Sequence, residues 1–332
     1  MLSRRNALLV LALLAGASMV SLMLALMVGS VGISLRDVLG VLTDSGGGSN
    51  GIAAEVVMGL RLPRALAGFA CGGLLALAGA LLQVLLRNPL ADPYILGISG
   101  GAGVGAILSI LFGLGVGGIA GAALAGALAT MLLVFGLAHG DGSWTQTRLL
   151  LTGVIVAAGC GALVALILTI APDHKLHGML FWLMGDLAQA THPGLALAAL
   201  AVVLMTVLPF ARELNLLSRG PDVAHALGAR VTGLRRGVYL AASLATAVAV
   251  AQAGSIGFVG LIVPHLVRLV IGNDQRLLLP ASALAGGSLL VVADTLARTV
   301  IAPQQLPVGV LTALIGVPVF LILLARDSRP RR

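Results

Sequence analysis

Residues 7–29 read ALLVLALLAGASMVSLMLALMVG, a run of 23 amino acids without one charged side chain. A membrane-spanning helix needs about 20 predominantly apolar residues, whereas the apolar part of a secretory signal is only about 7 to 15 residues long. Arg4 and Arg5 precede the run as they would in a secretory or twin-arginine signal, but the length favours an uncleaved helix. The stretch therefore predicts a first helix that crosses a lipid bilayer.

The composition extends this prediction to the rest of the chain. Of the 332 residues, 59% are hydrophobic and only 10% are charged, whereas soluble domains carry about 25% charged residues. The 45 glycines fit a membrane protein because small residues let helices pack closely. Aromatic residues make up only 3%, so base-stacking surfaces are not expected despite the net charge of +8, and nucleic acid is not expected as a partner.

Nine further apolar runs are long enough to cross a bilayer, which predicts an all-α, polytopic membrane protein with about ten transmembrane helices in one domain, 1–332. The ten predicted spans are 7–29, 63–86, 94–112, 116–138, 149–171, 195–211, 237–254, 256–272, 277–297 and 307–325. The eighth is the least regular because it contains Pro264, His265 and Arg268. We expect it to be short or reoriented around its glycines.

Basic residues in the connections indicate the orientation. Cytoplasmic connections of membrane proteins are enriched in Lys and Arg, and 15 of the 20 basic residues fall on the same side as the amino terminus. With an even number of spans, both termini are predicted to be cytoplasmic. The basic residues left on the outer side are Arg36, Arg61, Arg64, Lys175 and Arg298.

Three connections are long enough to have structure of their own. The outer segment 30–62 predicts a surface helix over 34–42 and then a Gly/Ser turn, and the outer segment 172–194 predicts a short helix over 176–187. The inner segment 212–236 predicts two short helices, broken at Gly220 and Pro221 and closed at Gly228. A simple turn between two spans would not need such a long charged segment. Its presence therefore favours contact with a cytoplasmic partner.

The sequence contains no pattern typical of a catalytic site. Its single lysine, Lys175, does not lie in a Gly-Lys-Ser/Thr loop, so no ATP site is expected in this chain. His174 and His177 share a helical face, but a solvated pair is favoured over a metal site. Cys71 and Cys160 are expected to be small core residues. We therefore expect no enzyme activity, no metal and no cofactor of its own.

Charged residues near the outer ends of two spans leave alternatives open. Asp294, the only acid inside a predicted span, precedes Arg298 by four residues. Local ion pairing is therefore favoured over the proton relay of an ion-coupled secondary transporter. Arg61 and Arg64 lie three residues apart on one helix face. They either anchor the helix at the interface or, with Arg298, form a basic cluster that docks a carboxylate-bearing partner.

Three groups of motifs occur in order along the chain. The first is RLPR over 61–64 with LLRNPLADP over 85–93 and GISGGAG over 97–103, and the second is GFVGLIVPHLVR over 257–268. The third is ADTLAR over 293–298, LPVG over 306–309 and GVPVF over 316–320. Together they resemble the FecCD-type permease family of ABC importers. The resemblance extends from about residue 55 to residue 325.

This resemblance implies the type II ABC importer permease fold and a function. The chain would be the membrane-spanning subunit of an ATP-driven importer that carries a ferric siderophore, haem or cobalamin across the bacterial inner membrane. The partners implied are a second copy of the chain, two cytoplasmic ATP-binding subunits that hold ATP and Mg, and a periplasmic substrate-binding protein. The resemblance does not indicate which of the three ligands is carried.

The resemblance also assigns roles to individual residues. The residues that would face glutamates of the binding protein are Arg61, Arg64 and Arg298. The coupling-helix segment, about 213–235, would seat in the ATPase subunits, and its assigned residues are Arg219, Gly220, Pro221, Ala226, Leu227 and Gly228. The residues that would narrow the path near the cytoplasm are Asn88, Leu90, Thr145, Gln146 and Thr147. The fifth and tenth spans would line the path.

Overall fold

The computed structural model describes residues 4–29, 31–43, 51–138, 145–190 and 192–327. Over these ranges the chain forms helices joined by turns, without a β-strand. The α-helices are, in chain order, α1 (Arg4–Met27), α2 (Leu35–Leu42), α3 (Gly51–Ala54), α4 (Leu62–Leu85), α5 (Ile98–Leu111), α6 (Val116–Ala138), α7 (Gln146–Ile170), α8 (Asp173–Leu183), α9 (Gly194–Val207), α10 (Ala211–Leu217), α11 (Pro221–Ala226), α12 (Val231–Ala253), α13 (Val259–Ile271), α14 (Gln275–Ala297) and α15 (Val308–Asp327).

Each of the ten predicted spans coincides with a helix, which confirms the all-α polytopic fold. In the described part of the chain, seven helices are long and apolar enough to cross a membrane, and three further apolar helices are shorter. The predicted eighth span is one of the short ones, α13. It begins after Phe258, which has a φ of 69°, and it contains Pro264. The irregular sequence of this span therefore corresponds to a real shortening of the helix.

The second span begins earlier than predicted. Its helix extends from Gly51 to Leu85 and includes a π-helical stretch, Glu55–Arg61, just before Pro63. Because proline has no amide hydrogen, it cannot continue the regular hydrogen-bond ladder, and a widened turn accommodates the change. The predicted surface helix is confirmed as α2, whose first turn is capped by the Ser34 hydroxyl accepting from the Asp37 amide at 3.2 Å. The predicted Gly/Ser turn falls on 44–50, outside the described residues.

Helix α4 lies at the centre of the bundle. From Ala65 to Leu85 all of its residues except Leu66 and Phe69 are buried, and it packs against α9, α12, α13 and α14. Two glycines allow this packing, because a Cβ at Gly72 would overlap a backbone carbonyl of α14 and a Cβ at Gly79 one of α13. Lipid provides no hydrophobic force between helices, so close contact between backbones is what holds them together. The two ends of α4 are therefore fixed relative to the rest of the bundle.

The helices at the periphery expose apolar side chains. Leu13 of α1, Leu166 of α7 and Leu314 of α15 are 72%, 58% and 65% exposed. Such faces are stable only against lipid or against another apolar protein surface. The bundle is thus built to be surrounded by apolar material on most of its sides.

Candidate functional site

The three outer arginines lie together around one acid. We call Arg61, Arg64, Arg298 and Asp294 the outer arginine cluster, because the basic residues of the connections predict this end of the bundle on the outer side. Arg64 lies in the first turn of α4 and Arg61 directly before it, and Asp294 lies in the last turn of α14 with Arg298 directly after it. The two helices pack along each other, which brings residues about 230 positions apart in sequence into contact.

Arg61 is directed into the protein. Its side chain is only 5% exposed, and its guanidinium donates to the carbonyls of Leu26 at 2.7 Å and Met27 at 3.0 Å and to the carbonyl of Val31. The last carbonyls of a helix have no partner within the helix, and a cation there also interacts favourably with the helix dipole. Arg61 therefore caps the carboxyl end of α1. Gly29 leaves the space, since a Cβ there would lie 2.6 Å from the guanidinium.

Arg64 holds Asp294. Its Nη2 donates to Oδ1 of the carboxylate at 2.8 Å and its Nε to Oδ2 at 2.9 Å, with side chains 13% and 5% exposed. Its Nη1 points outward and donates to Gln305 at 3.0 Å. The predicted pair of Asp294 with Arg298 is present but looser, at 3.9 Å, and Arg298 also donates to the carbonyl of Ala25 at 2.6 Å. Arg64 is thus the main partner of Asp294.

The cluster is positive overall. One carboxylate lies among three guanidinium groups, which leaves a surplus of two positive charges at the outer surface. Sequence reasoning found Asp294 and Arg298 through their spacing of four, but it missed Arg64 as the acid's partner. Nothing in the local sequence indicates that contact. The cluster combines anchoring, through Arg61, with a net charge that favours an acidic partner.

At the other end of α4, which is predicted to be cytoplasmic, residues 86–92 form a turn. We call it the gate turn because it carries Asn88 and Leu90, two of the residues predicted to narrow the path. The Asn88 side chain accepts from the Leu90 amide at 2.9 Å, and Leu90 is 40% exposed. Asp92 caps the short helix that follows, its side chain accepting from the Tyr94 amide at 2.7 Å. Burial raises the pKa of Asp92, and this hydrogen bond opposes the rise. Asp92 therefore marks the start of this short helix.

The start of α7 lies beside the gate turn. Gln146 donates to the carbonyl of Leu85 at 3.0 Å, directly before the turn. Thr145 caps α7 by accepting from the Arg148 amide at 3.2 Å, and Thr147 is exposed. The structure therefore brings Gln146 to the residues predicted to narrow the path, while Thr145 has a local capping contact.

The inner connection has the predicted shape. Helices α10 and α11 are separated at Gly220, whose φ of 125° suits glycine alone, and the pair is closed at Gly228 with a φ of 84°. Pro221 begins α11, where its missing amide hydrogen is harmless. Arg219, Ala226 and Gly228 are exposed, and so is Leu227 at 62%. This surface is thus free over most of its length.

The coupling segment is fixed at two points. The Asn215 side chain of α10 donates to Asp274 at 2.9 Å and accepts from the Gln275 amide at 2.9 Å, at the start of α14. Gly220 lies against the gate turn, because a Cβ there would meet the guanidinium of Arg87 at 3.4 Å. Arg87 has a φ of 47°, which is uncommon for a residue other than glycine. Sequence reasoning assigned no role to Arg87, although it lies within the first motif.

On the outer side, α8 confirms the predicted short helix, although it begins at Asp173 and not at residue 176. Lys175 donates to the carbonyl of Leu111 at 2.7 Å and so caps α5. His177 stacks on Phe181 with ring centroids 4.4 Å apart. Both side chains therefore have contacts that serve the packing of this helix.

Comparison with known proteins identifies the family. Residues 14–326 match the FecCD transport family. The ABC transporter permease protein YvrB of Bacillus subtilis is 41% identical over 328 residues, covering 94% of this chain and 92% of the relative. The cobalamin import system permease protein BtuC of Halobacterium salinarum is 46% identical over 283 residues, covering 84% and 75%. The hemin transport system permease protein HmuU of Yersinia pestis is 42% identical over 286 residues, covering 83% and 85%.

A solved structure agrees with these relatives. An inward-facing metal-chelate-type ABC transporter superposes with a TM-score of 0.81 at 32% identity, covering 96% of this chain and 99% of the other. The match extends over nearly the whole chain, and the motifs recognised in the sequence lie inside the matched residues. The chain belongs to the FecCD transport family of ABC importer permeases.

Proposed function

We propose that the chain forms half of a homodimeric core that moves a large metal chelate, a ferric siderophore, haem or cobalamin, inward across the bacterial inner membrane. The relatives named for cobalamin and hemin import support this class of ligand. Both of those ligands are bulky metal chelates built on a tetrapyrrole ring. A path wide enough for one suits the other, so the choice of ligand rests with a separate binding protein.

The observation that carries the proposal is the contact between the coupling segment and the gate turn. Most of α11 is exposed, yet Gly220, directly before it, lies against Arg87 at the inner end of α4. A protein that pushed on the coupling segment would therefore act on the turn that carries Asn88 and Leu90, which we propose narrow the path. The structure of the segment supports a cytoplasmic ATP-binding subunit as that protein.

The exposed helices support the homodimer. Only Leu149, Gly153 and Ile167 of α7 are buried, and α15 exposes Leu314, Leu321 and other large apolar residues. These are the fifth and tenth spans, which the family resemblance assigns to the translocation path. Two copies facing each other across α7 and α15 would enclose a smooth, uncharged passage between them.

The outer arginine cluster supports docking of the binding protein. Its surplus of positive charge would attract two carboxylates, with Arg64 at the surface and Arg61 and Arg298 held by α1. In this arrangement Arg61 acts mainly by fixing the geometry of the outer surface. Arg64 is the residue that an acidic side chain can reach most easily.

Transport in proteoliposomes tests the proposal. The chain is reconstituted with an ATP-binding subunit and a binding protein from the same organism, and uptake of cobalamin, haemin and a ferric siderophore is measured with and without ATP. We expect one of the three to be accumulated only with ATP and both partners present. Uptake that persisted without ATP and without the ATP-binding subunit would contradict the proposal and favour an ion-coupled secondary transporter.

A further inference from the structure

The connection between α12 and α13, residues 254–258, is not helical although it joins two apolar helices. We call it the central joint, because segments from several parts of the bundle meet there. Its Ile256 is only 1% exposed. Lipid offers no hydrogen bonds, so non-helical backbone between two spans needs partners from the protein. The polar backbone groups of Ile256 must therefore be satisfied by neighbouring residues.

Tyr94 satisfies both polar backbone groups of Ile256. Its hydroxyl donates to the Ile256 carbonyl at 2.9 Å and accepts from the Ile256 amide at 2.8 Å. An unpaired backbone group would be costly to bury at this position. Ser99 adds a second contact with the joint, since its hydroxyl oxygen lies 2.9 Å from that of Ser255. The Tyr94 hydroxyl thus acts as donor and acceptor toward a single residue of the central joint.

The backbone of Tyr94 is tied to the gate turn. A short 3₁₀ helix, Pro93–Leu96, begins directly after Asp92, whose side chain accepts from the Tyr94 amide at 2.7 Å. This short helix also packs on α7, because a Cβ at Gly153 would overlap the carbonyl of Ile95. Tyr94 therefore links the gate turn, through its own backbone, to the central joint, through its hydroxyl.

On another side the central joint contacts the residues that end α8. A Cβ at Gly185 would lie 2.7 Å from the carbonyl oxygen of Ser255, and a Cβ at Gly254 would overlap the carbonyl of Trp182. Both glycines have positive φ values, 82° and 69°, which favour glycine. In addition, the Ala253 carbonyl accepts from the Asp186 amide at 2.9 Å. The end of α8 and the central joint thus meet backbone to backbone.

The central joint also contacts α15, the tenth predicted span. A Cβ at Gly309 would lie 2.9 Å from the carbonyl oxygen of Ser255, and a Cβ at Gly316 would lie 2.7 Å from Phe258. The family resemblance assigns α7 and α15 to the path. The joint touches α15 directly, and Tyr94 connects it to the short helix that packs on α7.

We propose that Tyr94 is a positioning residue of the transport cycle: it transmits movement of the gate turn to the central joint and from there to α8, which is predicted on the outer side. The inference rests on the proposed transport function. With the hydroxyl in place, the inner and outer ends of the path change together. Without it, the gate turn can move while α8 stays where it is.

The assembled importer in proteoliposomes tests the proposal. Uptake of cobalamin, haemin and a ferric siderophore is measured together with ATP hydrolysis in the same vesicles. Tyr94→Phe keeps the ring and removes only the hydroxyl. We expect ligand uptake per ATP hydrolysed to fall about tenfold, because the loss of these two hydrogen bonds is of that order. A merely structural role would lower uptake and hydrolysis in proportion and leave their ratio unchanged.

The matched control is Tyr239→Phe, at the other tyrosine of the chain. The Tyr239 hydroxyl donates to the carbonyl of Met131 at 2.9 Å and so joins α12 to α6, away from the central joint. This variant also loses a hydrogen bond between segments of the bundle, but its ratio of uptake to hydrolysis should equal that of the wild type.

Hydrogen exchange of the purified full chain in detergent gives a second measurement that does not depend on transport. Tyr94→Phe should speed exchange at the Ile256 amide and also in α8, which Tyr94 reaches only through the central joint. Tyr239→Phe should leave both unchanged.

Two results would overturn the proposal. One is a wild-type ratio of uptake to hydrolysis in Tyr94→Phe, in vesicles where the wild-type chain accumulates a ligand. The other is unchanged exchange in α8 of Tyr94→Phe, which would confine Tyr94 to a local structural role. Failure of the wild type itself to accumulate any of the three ligands would instead contradict the proposed function, and with it the transport role of Tyr94.

Discussion

The two ends of α4 meet charged residues in different ways. At the outer end, Arg61, Arg64 and Arg298 are mostly buried and bonded to Asp294 or to carbonyls of α1. At the inner end, the coupling segment exposes its charges and is held to the bundle through Asn215 and the contact of Gly220 with Arg87. The outer end therefore pairs its charged groups inside the protein, whereas the inner end leaves most of its charged groups exposed and is held to the bundle at two points.

The strongest test of the outer end is Asp294→Asn. Without this carboxylate, two buried guanidinium groups lose their counter-ion, and removal of one partner of a buried pair typically costs about 3 to 5 kcal/mol. We expect a clearly lower melting temperature in detergent. The control is Asp173→Asn, an exposed acid on α8. If both variants melt at the wild-type temperature, the ion pairs of the cluster do not stabilise the protein. The proposed difference between the two ends of α4 is then wrong.

The shape of the coupling segment depends on the turn at Gly228. Gly228 has a φ of 84°, and a β-branched residue there is strained by about 1 to 3 kcal/mol. In Gly228→Val we expect ATP hydrolysis by the assembled importer to continue while ligand uptake falls severalfold. Gly136→Val, in the regular helix α6, is the control. Normal coupled transport by Gly228→Val would mean that the ATP-binding subunit acts on another surface.

Docking at the outer end is expected to depend on the net positive charge of the outer arginine cluster. Arg64→Gln keeps a hydrogen-bonding side chain beside Asp294 but removes one positive charge. We expect binding-protein affinity to fall about tenfold, or roughly 1.4 kcal/mol, at low salt, and less at high salt where charges are screened. Arg36→Gln, exposed on α2, removes a cation away from the cluster and serves as the control. An equal loss in both variants would indicate a general charge effect and not docking on the cluster.

The smallest effect is expected at Asn215, whose side chain joins the coupling segment to the start of α14. Asn215→Ala removes two hydrogen bonds between α10 and the start of α14, each contributing about 1 kcal/mol. We expect faster hydrogen exchange in α10 and α11 and little change at the outer end. Asn6→Ala on α1, far from this segment in sequence, is the control. Unchanged exchange in α10 and α11 would show that the segment is held by packing alone.

Several features were predictable because their causes are local. The spans follow from runs of apolar residues, since a helix in lipid must satisfy its own backbone. The start of α2 at Ser34 and the break at Gly220 and Pro221 follow from the hydrogen-bonding and φ preferences of single residues. Even the shortened eighth span was indicated by its own proline, histidine and arginine. Such signals act within a few positions of the chain.

The sequence by itself thus determined the fold class, the positions of about ten spans and, through its motifs, the family. Only the tertiary structure decided which groups meet. In the structure Arg64 pairs with Asp294, Arg61 donates to carbonyls at the end of α1, and Gly220 lies against Arg87. The physical reason is that the bilayer selects helices by local hydropathy, whereas contacts between helices depend on packing among residues far apart in the chain.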